Sequence, residues 1–203
     1  MSFNTWALLL ITSMGISLVP GPNALLALTH GALHGRQRAL FTIAGGLLGF
    51  IIVIGLCVFG IGALLQSSVF WFTVLKWVGG IYIAWLGIKL WLSPPIVLEV
   101  TEGTNRATNG KLFRQGFLSA VTNPKALLLY TAMLPQFIDP NGNIFVQFVI
   151  IAITYSVTEF AAEYMCVYAA NRIRPWLSRV GKRFNQAFGG LFVVIGAALP
   201  LRT

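Results

Sequence analysis

The sequence predicts an all-α integral membrane protein of six transmembrane helices, built as a 3+3 inverted repeat with helices one and four broken. Three observations predict it. Of the 203 residues, 57% are hydrophobic and 9% charged, whereas soluble domains run nearer ~45–50% and ~25%. Six apolar stretches are each long enough to cross a hydrocarbon core, which takes about 20 residues. Eleven of the fourteen Lys and Arg residues fall in or at the edges of alternate connections between those stretches, and none in the remaining connections.

The stretches cover residues 6–29, 39–65, 69–92, 113–138, 144–170 and 184–201. They run apolar throughout instead of alternating as barrel strands do, so each is read as a helix. No Lys or Arg precedes the first, and it lacks an Ala-x-Ala exit; it is expected to stay as a span. In the second, Gly45 and Gly49 mark a close helix contact. Connections one, three and five hold Arg36 and Arg38; Lys89, Arg106, Lys111 and Arg114; and Arg172, Arg174, Arg179, Lys182 and Arg183. Positive loops stay in the cytoplasm, which places both termini outside. The net charge of +9 is therefore a topology signal. The run from Arg172 to Arg183 is expected to meet anionic membrane lipid and not nucleic acid. Residues 93–112, opened by Pro94-Pro95, form a polar cytoplasmic linker between half one (1–92) and half two (113–203) of a single transmembrane domain (1–203).

The halves repeat each other. The run from Ser17 to Thr29 lies over the run from Ser119 to Thr131 with seven of thirteen positions identical, Pro22 over Pro124 among them. A weaker echo joins Gly79-Gly80 to Gly189-Gly190. Three spans per half is an odd number, so the second half sits upside down, the plan of many secondary transporters.

The matched runs are also the chemically odd ones. Pro20-Gly21-Pro22 interrupts span one, and Asn123-Pro124 interrupts span four. Proline has no N–H to give and its ring clashes with the preceding turn, so each helix breaks there. Backbone groups freed at membrane depth must face protein or a watery cavity. Each restarted half-helix then offers N–H groups and partial positive charge, and inversion points the two starts at each other. A carboxylate between them is well bound. Pro20, Gly21, Pro22, Asn23, Asn123, Pro124 and Lys125 are the expected substrate-binding residues, with Lys125 anchoring the carboxylate.

Lys125 lies too deep to snorkel, so it is expected to face the interior. Glu159 and Glu163 in span five stand four apart, on one helix face. They can hold an ammonium group or a proton. Two such carboxyls in a low-dielectric interior disfavour each other's ionisation, so the pair is expected to keep one proton near neutral pH. No Gly-x-x-x-x-Gly-Lys-Ser/Thr run occurs, which excludes nucleotide hydrolysis by this motif. Two histidines, His30 and His34, without a third ligand nearby give no metal site, and no cofactor is expected.

Val19-Pro-Gly-Pro-Asn23, the run from Leu75 to Lys89, Thr122-Asn-Pro-Lys-Ala126 and Pro135-Gln-Phe-Ile-Asp-Pro140 together resemble the lysine-exporter (LysE) family. The likeness is greatest to its homoserine/threonine-exporter (RhtB) branch and runs from residue 6 to residue 200. The resemblance implies a bacterial inner-membrane protein, not an enzyme, that expels an amino acid against an inward flow of protons. Many members carry an acidic residue after a glycine in span two, where this chain has Gly49-Phe50. That departure points to a neutral substrate of homoserine, threonine or leucine type. The family often has an acidic residue where Glu159 stands, which makes Glu159 the expected coupling carboxyl and Glu163 its tuner. Whether the chain forms a homo-oligomer is left open by the sequence. The alternative is a transmembrane thiol redox conductor using Cys57 and Cys166, which sit in spans two and five; a double Cys→Ala variant separates the two.

The charge alternation makes a direct prediction. A reporter active only outside the cytoplasm should work when fused after Thr203 and be silent when inserted near Asn105. The reverse pattern would remove the six-span scheme and the inversion with it.

Overall fold

The computed structural model describes every residue except Pro20, Ser68, 93–106, Pro140, Ala169 and 199–203; for a further set, Lys76, Lys125 and 170–181 among them, it describes the backbone alone. Helices form in all six apolar stretches, and no strand occurs among the described residues. In chain order they are α1 (Phe3–Leu18), α2 (Pro22–His34), α3 (Arg36–Ser67), α4 (Val69–Leu92), α5 (Asn109–Val121), α6 (Pro124–Met133), α7 (Ile144–Tyr168) and α8 (Ala170–Ala198), with a 3-10 turn, Leu134–Gln136, continuing α6. Both expected breaks are present. The axes of α1 and α2 bend by 54°, and Thr122 and Asn123 separate α5 from α6.

Length and apolarity suffice for a crossing in Arg36–Ile61 and in Ile144–Tyr168, and in α1 and α2 taken as one bent span. Elsewhere the described apolar runs are shorter, Trp77–Leu92 and Asn185–Ala198. Among the described residues, helix length and apolarity together thus deliver two or three of the six spans that hydropathy leads one to expect.

Four helix starts fall earlier than expected: α1 begins at Phe3, behind a Ser2 cap, and two of the other three also have identifiable local causes. The first connection shrinks to Gly35, whose φ of 87° is one that residues with a Cβ rarely adopt, so α3 begins at once with Arg36. Thr108 caps α5 by accepting the Lys111 N–H at 3.3 Å, the usual work of a threonine before a first turn. The backbone of α8 is helical from Ala170, well before residue 184.

The first basic connection touches the start of α5 and the C-terminal end of α7. The Arg38 guanidinium donates to Asn109 Oδ1 at 3.2 Å and to the Ala107 carbonyl, and Arg36 lies 4.5 Å from the centre of the Tyr168 ring. At the opposite end, buried Gln147 closes the turn before α7. Its Oε1 accepts the Asp139 N–H at 2.7 Å and its Nε2 donates to the Asp139 carbonyl at 3.0 Å.

Helices approach closely where glycine lets them. Gly45 and Gly49 of α3 lie on the backbone of α5 near Phe113 and Phe117, the close contact expected of that step. On α4 and α8 the contact is reciprocal. A Cβ on Gly189 would stand 2.5 Å from the Gly87 carbonyl oxygen, and one on Gly196 2.5 Å from that of Gly80. Gly87 is thus paired with Gly189, and Gly80 with Gly196, across α4 and α8.

Backbone cannot yield as a flexible side chain does, so overpacking here should cost at least the usual ~1–3 kcal/mol. Gly189→Ala is expected to lower the melting temperature in detergent by several degrees. Gly60→Ala, where nothing lies within 4 Å, should leave it level or raise it slightly, because alanine favours helix over glycine by about 1 kcal/mol.

Candidate functional site

The two breaks meet at one cavity of about 40 Å³. Gly21, Pro22 and Asn23 enter it from the start of α2, Asn123 and Ala126 from the start of α6, and Glu159 from the middle of α7. Three rings, Phe50, Tyr130 and Tyr155, form one wall, while Ile16, Val19 and Leu129 supply aliphatic surface. A volume of this size holds a few waters or the polar head of a small solute.

The two helix starts differ in how their first turns are satisfied. In α6, Asn123 Oδ1 accepts the Ala126 N–H at 3.4 Å, a side-chain cap. In α2 the capping position is Gly21, which has no side chain to offer. Pro22 carries no N–H, and the Leu25 N–H is taken by the Gly21 carbonyl at 3.0 Å. The first turn of α2 therefore reaches the cavity without a side-chain cap, with Gly21 open enough that nothing lies within 4 Å of a Cβ built there.

The glutamates are inside the protein, at 8% exposure for Glu159 and 1% for Glu163. Glu159 borders the cavity. Glu163, one turn on, sits beside the Asn23 amide without hydrogen-bonding geometry between them. Asn23 is buried as well, and its amide lies over Gly46, where any side chain would collide with it. Behind Glu159, Ser17 Oγ donates to Thr158 Oγ1 at 3.4 Å, tying α1 to α7.

Of the residues named from sequence, Gly21, Pro22, Asn23, Asn123 and Glu159 come together here, and Glu163 lies next to them. Pro20 lies outside the described residues; Pro124 and Lys125 open α6, and their side chains lie outside them too. The sequence reading missed Phe50 as a wall residue, and it missed Tyr130, Tyr155 and Gly46. One signal was available: Tyr155, Glu159 and Glu163 are successive fourth residues, which puts them on one face of α7. His30 is used elsewhere, with Nδ1 2.7 Å from Thr42 Oγ1. Cys57 is 3.6 Å from Thr131 Oγ1, and neither cysteine borders the cavity. Nothing in this arrangement supports thiol redox chemistry.

Comparison with known proteins places the chain. Residues 14–202 match the family model of the LysE type translocators. The homoserine/homoserine lactone efflux protein of Salmonella typhimurium is 34% identical over 201 residues, 98% of this chain and 97% of that protein. An uncharacterized membrane protein of Vibrio cholerae is 30% identical, covering 98% of both chains. The leucine efflux protein of Klebsiella pneumoniae is 29% identical over 197 residues, 94% of this chain and 92% of its own length. No solved structure matches.

Proposed function

The chain belongs to the LysE type translocators, a family of membrane transporters, and from that premise we propose that it exports a neutral L-amino acid from the bacterial cytoplasm in exchange for protons. The observation that carries the proposal is a cavity bordered by both helix breaks and by Glu159. An efflux role agrees with the printed names of its relatives in Salmonella and Klebsiella. A neutral substrate agrees with Phe50, which supplies an aromatic face and no charge to the wall.

The proposed arrangement is six spans in the inner membrane, as a 3+3 inverted repeat. The reciprocal glycine contacts of α4 and α8 support it, since exchanging the halves turns one contact into the other. The contacts that Arg36 and Arg38 make support a common cytoplasmic end for the basic connections, with both termini outside.

In the proposed cycle the substrate carboxylate lies at the uncapped start of α2, where N–H groups and the helix dipole favour an anion. Asn23 and Asn123 flank it, and Lys125 lends a positive charge from α6. The ammonium group faces Glu159. One carboxyl oxygen pair cannot hold a proton and an ammonium ion together, so each displaces the other. Facing the cytoplasm, Glu159 gives up its proton and takes the substrate; facing outward, it takes a proton and lets the substrate go. Export is thereby coupled to proton entry. Glu163, one turn away, raises the cost of leaving both carboxyls charged.

Two experiments test this reading. Vesicles loaded with L-homoserine or L-leucine should release at least one of them faster when the compartment facing the exporter's external side is acidified, and Glu159→Gln should abolish that dependence; a Gln variant that still responds would move the coupling proton elsewhere. Lys125→Met should insert and fold, because it removes a charge from the membrane interior, yet lose at least tenfold in export. Wild-type export by the Met variant would leave Lys125 without a role in binding.

A further inference from the structure

The cycle above uses the helix starts and Glu159 and gives the aromatic wall no task beyond shape. The wall is a closed trio of edge-to-face rings. Tyr130 and Tyr155 are 5.1 Å apart at 88°, and Phe50 lies 6.3 Å from the first and 5.7 Å from the second. Three phenylalanines would pack equally well. What phenylalanine lacks is the hydroxyl, and burying a hydroxyl with nothing to bond costs free energy. Tyr130 is 1% exposed, and its Oη has no hydrogen-bond partner. The Tyr155 hydroxyl is nearby but outside hydrogen-bonding geometry, and the Glu159 carboxyl lies in the same neighbourhood. A buried, unpaired phenol at the wall of a cavity points to a partner that arrives with the ligand.

We infer that Tyr130 reads an oxygen on the substrate's side chain, so that the cavity selects short neutral amino acids bearing a hydroxyl or carbonyl oxygen over their hydrocarbon isosteres. The aliphatic surface of Ile16, Val19 and Leu129 encloses the methylene groups, and the phenol meets the oxygen. A hydrocarbon in that place leaves the phenol buried and unsatisfied. That is the physical reason why sites built to bond a hydroxyl reject the analogue without it far more strongly than apolar pockets tell one methylene from none. The inference rests on the export reading above and narrows it. Of the two substrate types named for the relatives, it favours homoserine over leucine.

The test pairs L-homoserine with L-norvaline, which replaces the side-chain hydroxyl by a methyl group. In loaded vesicles the wild-type protein should export homoserine at least about tenfold more efficiently than norvaline, and unlabelled norvaline should compete with labelled homoserine correspondingly worse than homoserine itself. Tyr130→Phe keeps the ring and should erase that ratio, chiefly by losing homoserine. Equal handling of the two by the wild type overturns the inference. So does a Phe variant that slows both alike, which would assign the phenol to the carboxylate, the proton or packing. Should the Phe variant fold poorly, the wild-type competition decides alone. Export of norvaline and leucine without homoserine would refute the Tyr130 role while leaving the export reading intact; movement of no amino acid at all would remove both.

Discussion

A helix broken inside a bilayer must hide its freed backbone groups from lipid, and the rest of this structure is arranged around that demand. The breaks at Gly21-Pro22 and at Asn123 are turned inward to a common space, so that α1, α2, α3, α6 and α7 together line it. Walls made of tightly fitted helices keep lipid out. Gly45 and Gly49 seat α3 on α5, and the paired glycines seat α4 on α8. What remains inside is a small volume with an uncapped helix start on one side, a carboxyl on another and aromatic rings along a third. Few elements are needed for recognition of an amino acid, and each arises from the way the breaks are covered.

The asymmetry of the two starts matters as much as their likeness. The repeat makes the breaks equivalent in position but not in chemistry. Asn123 caps its own helix, whereas Gly21 leaves the matching turn of α2 open. A zwitterion also has two unlike ends. An anion-favouring helix start and a carboxyl side chain across one cavity suit such a molecule better than two identical half-sites would. Burial sharpens both preferences, because opposite charges attract more strongly where water is scarce.

Much of this was legible in the sequence. Proline without an N–H fixes where a helix stops, so Pro22 and Pro124 located the breaks. The spacing of Glu159 and Glu163 fixed a shared face. Less legible were the partners of those residues. Phe50, Tyr130 and Tyr155 lie in helices that are apolar on every side, where the pattern does not say which ring faces lipid and which faces a cavity. Gly46 matters because the Asn23 amide lies over it, a tertiary contact that no local signal announces. Helix ends shifted for local reasons, at Gly35 and Thr108, which act over one or two residues and leave hydropathy unchanged.

The central claim is that the substrate lies between the two breaks, and thiol protection tests it most directly. Gly21→Cys fits, since nothing lies within 4 Å of a Cβ there; Gly110→Cys, equally open at the start of α5, serves as control. Both are made with Cys57 and Cys166 changed to alanine and labelled in membrane vesicles by a water-soluble maleimide. A saturating mixture of neutral L-amino acids should slow labelling at position 21 severalfold and leave position 110 unchanged, while the D-enantiomers should alter labelling at neither position. Labelling at position 21 that is indifferent to the L-amino acids would contradict the account.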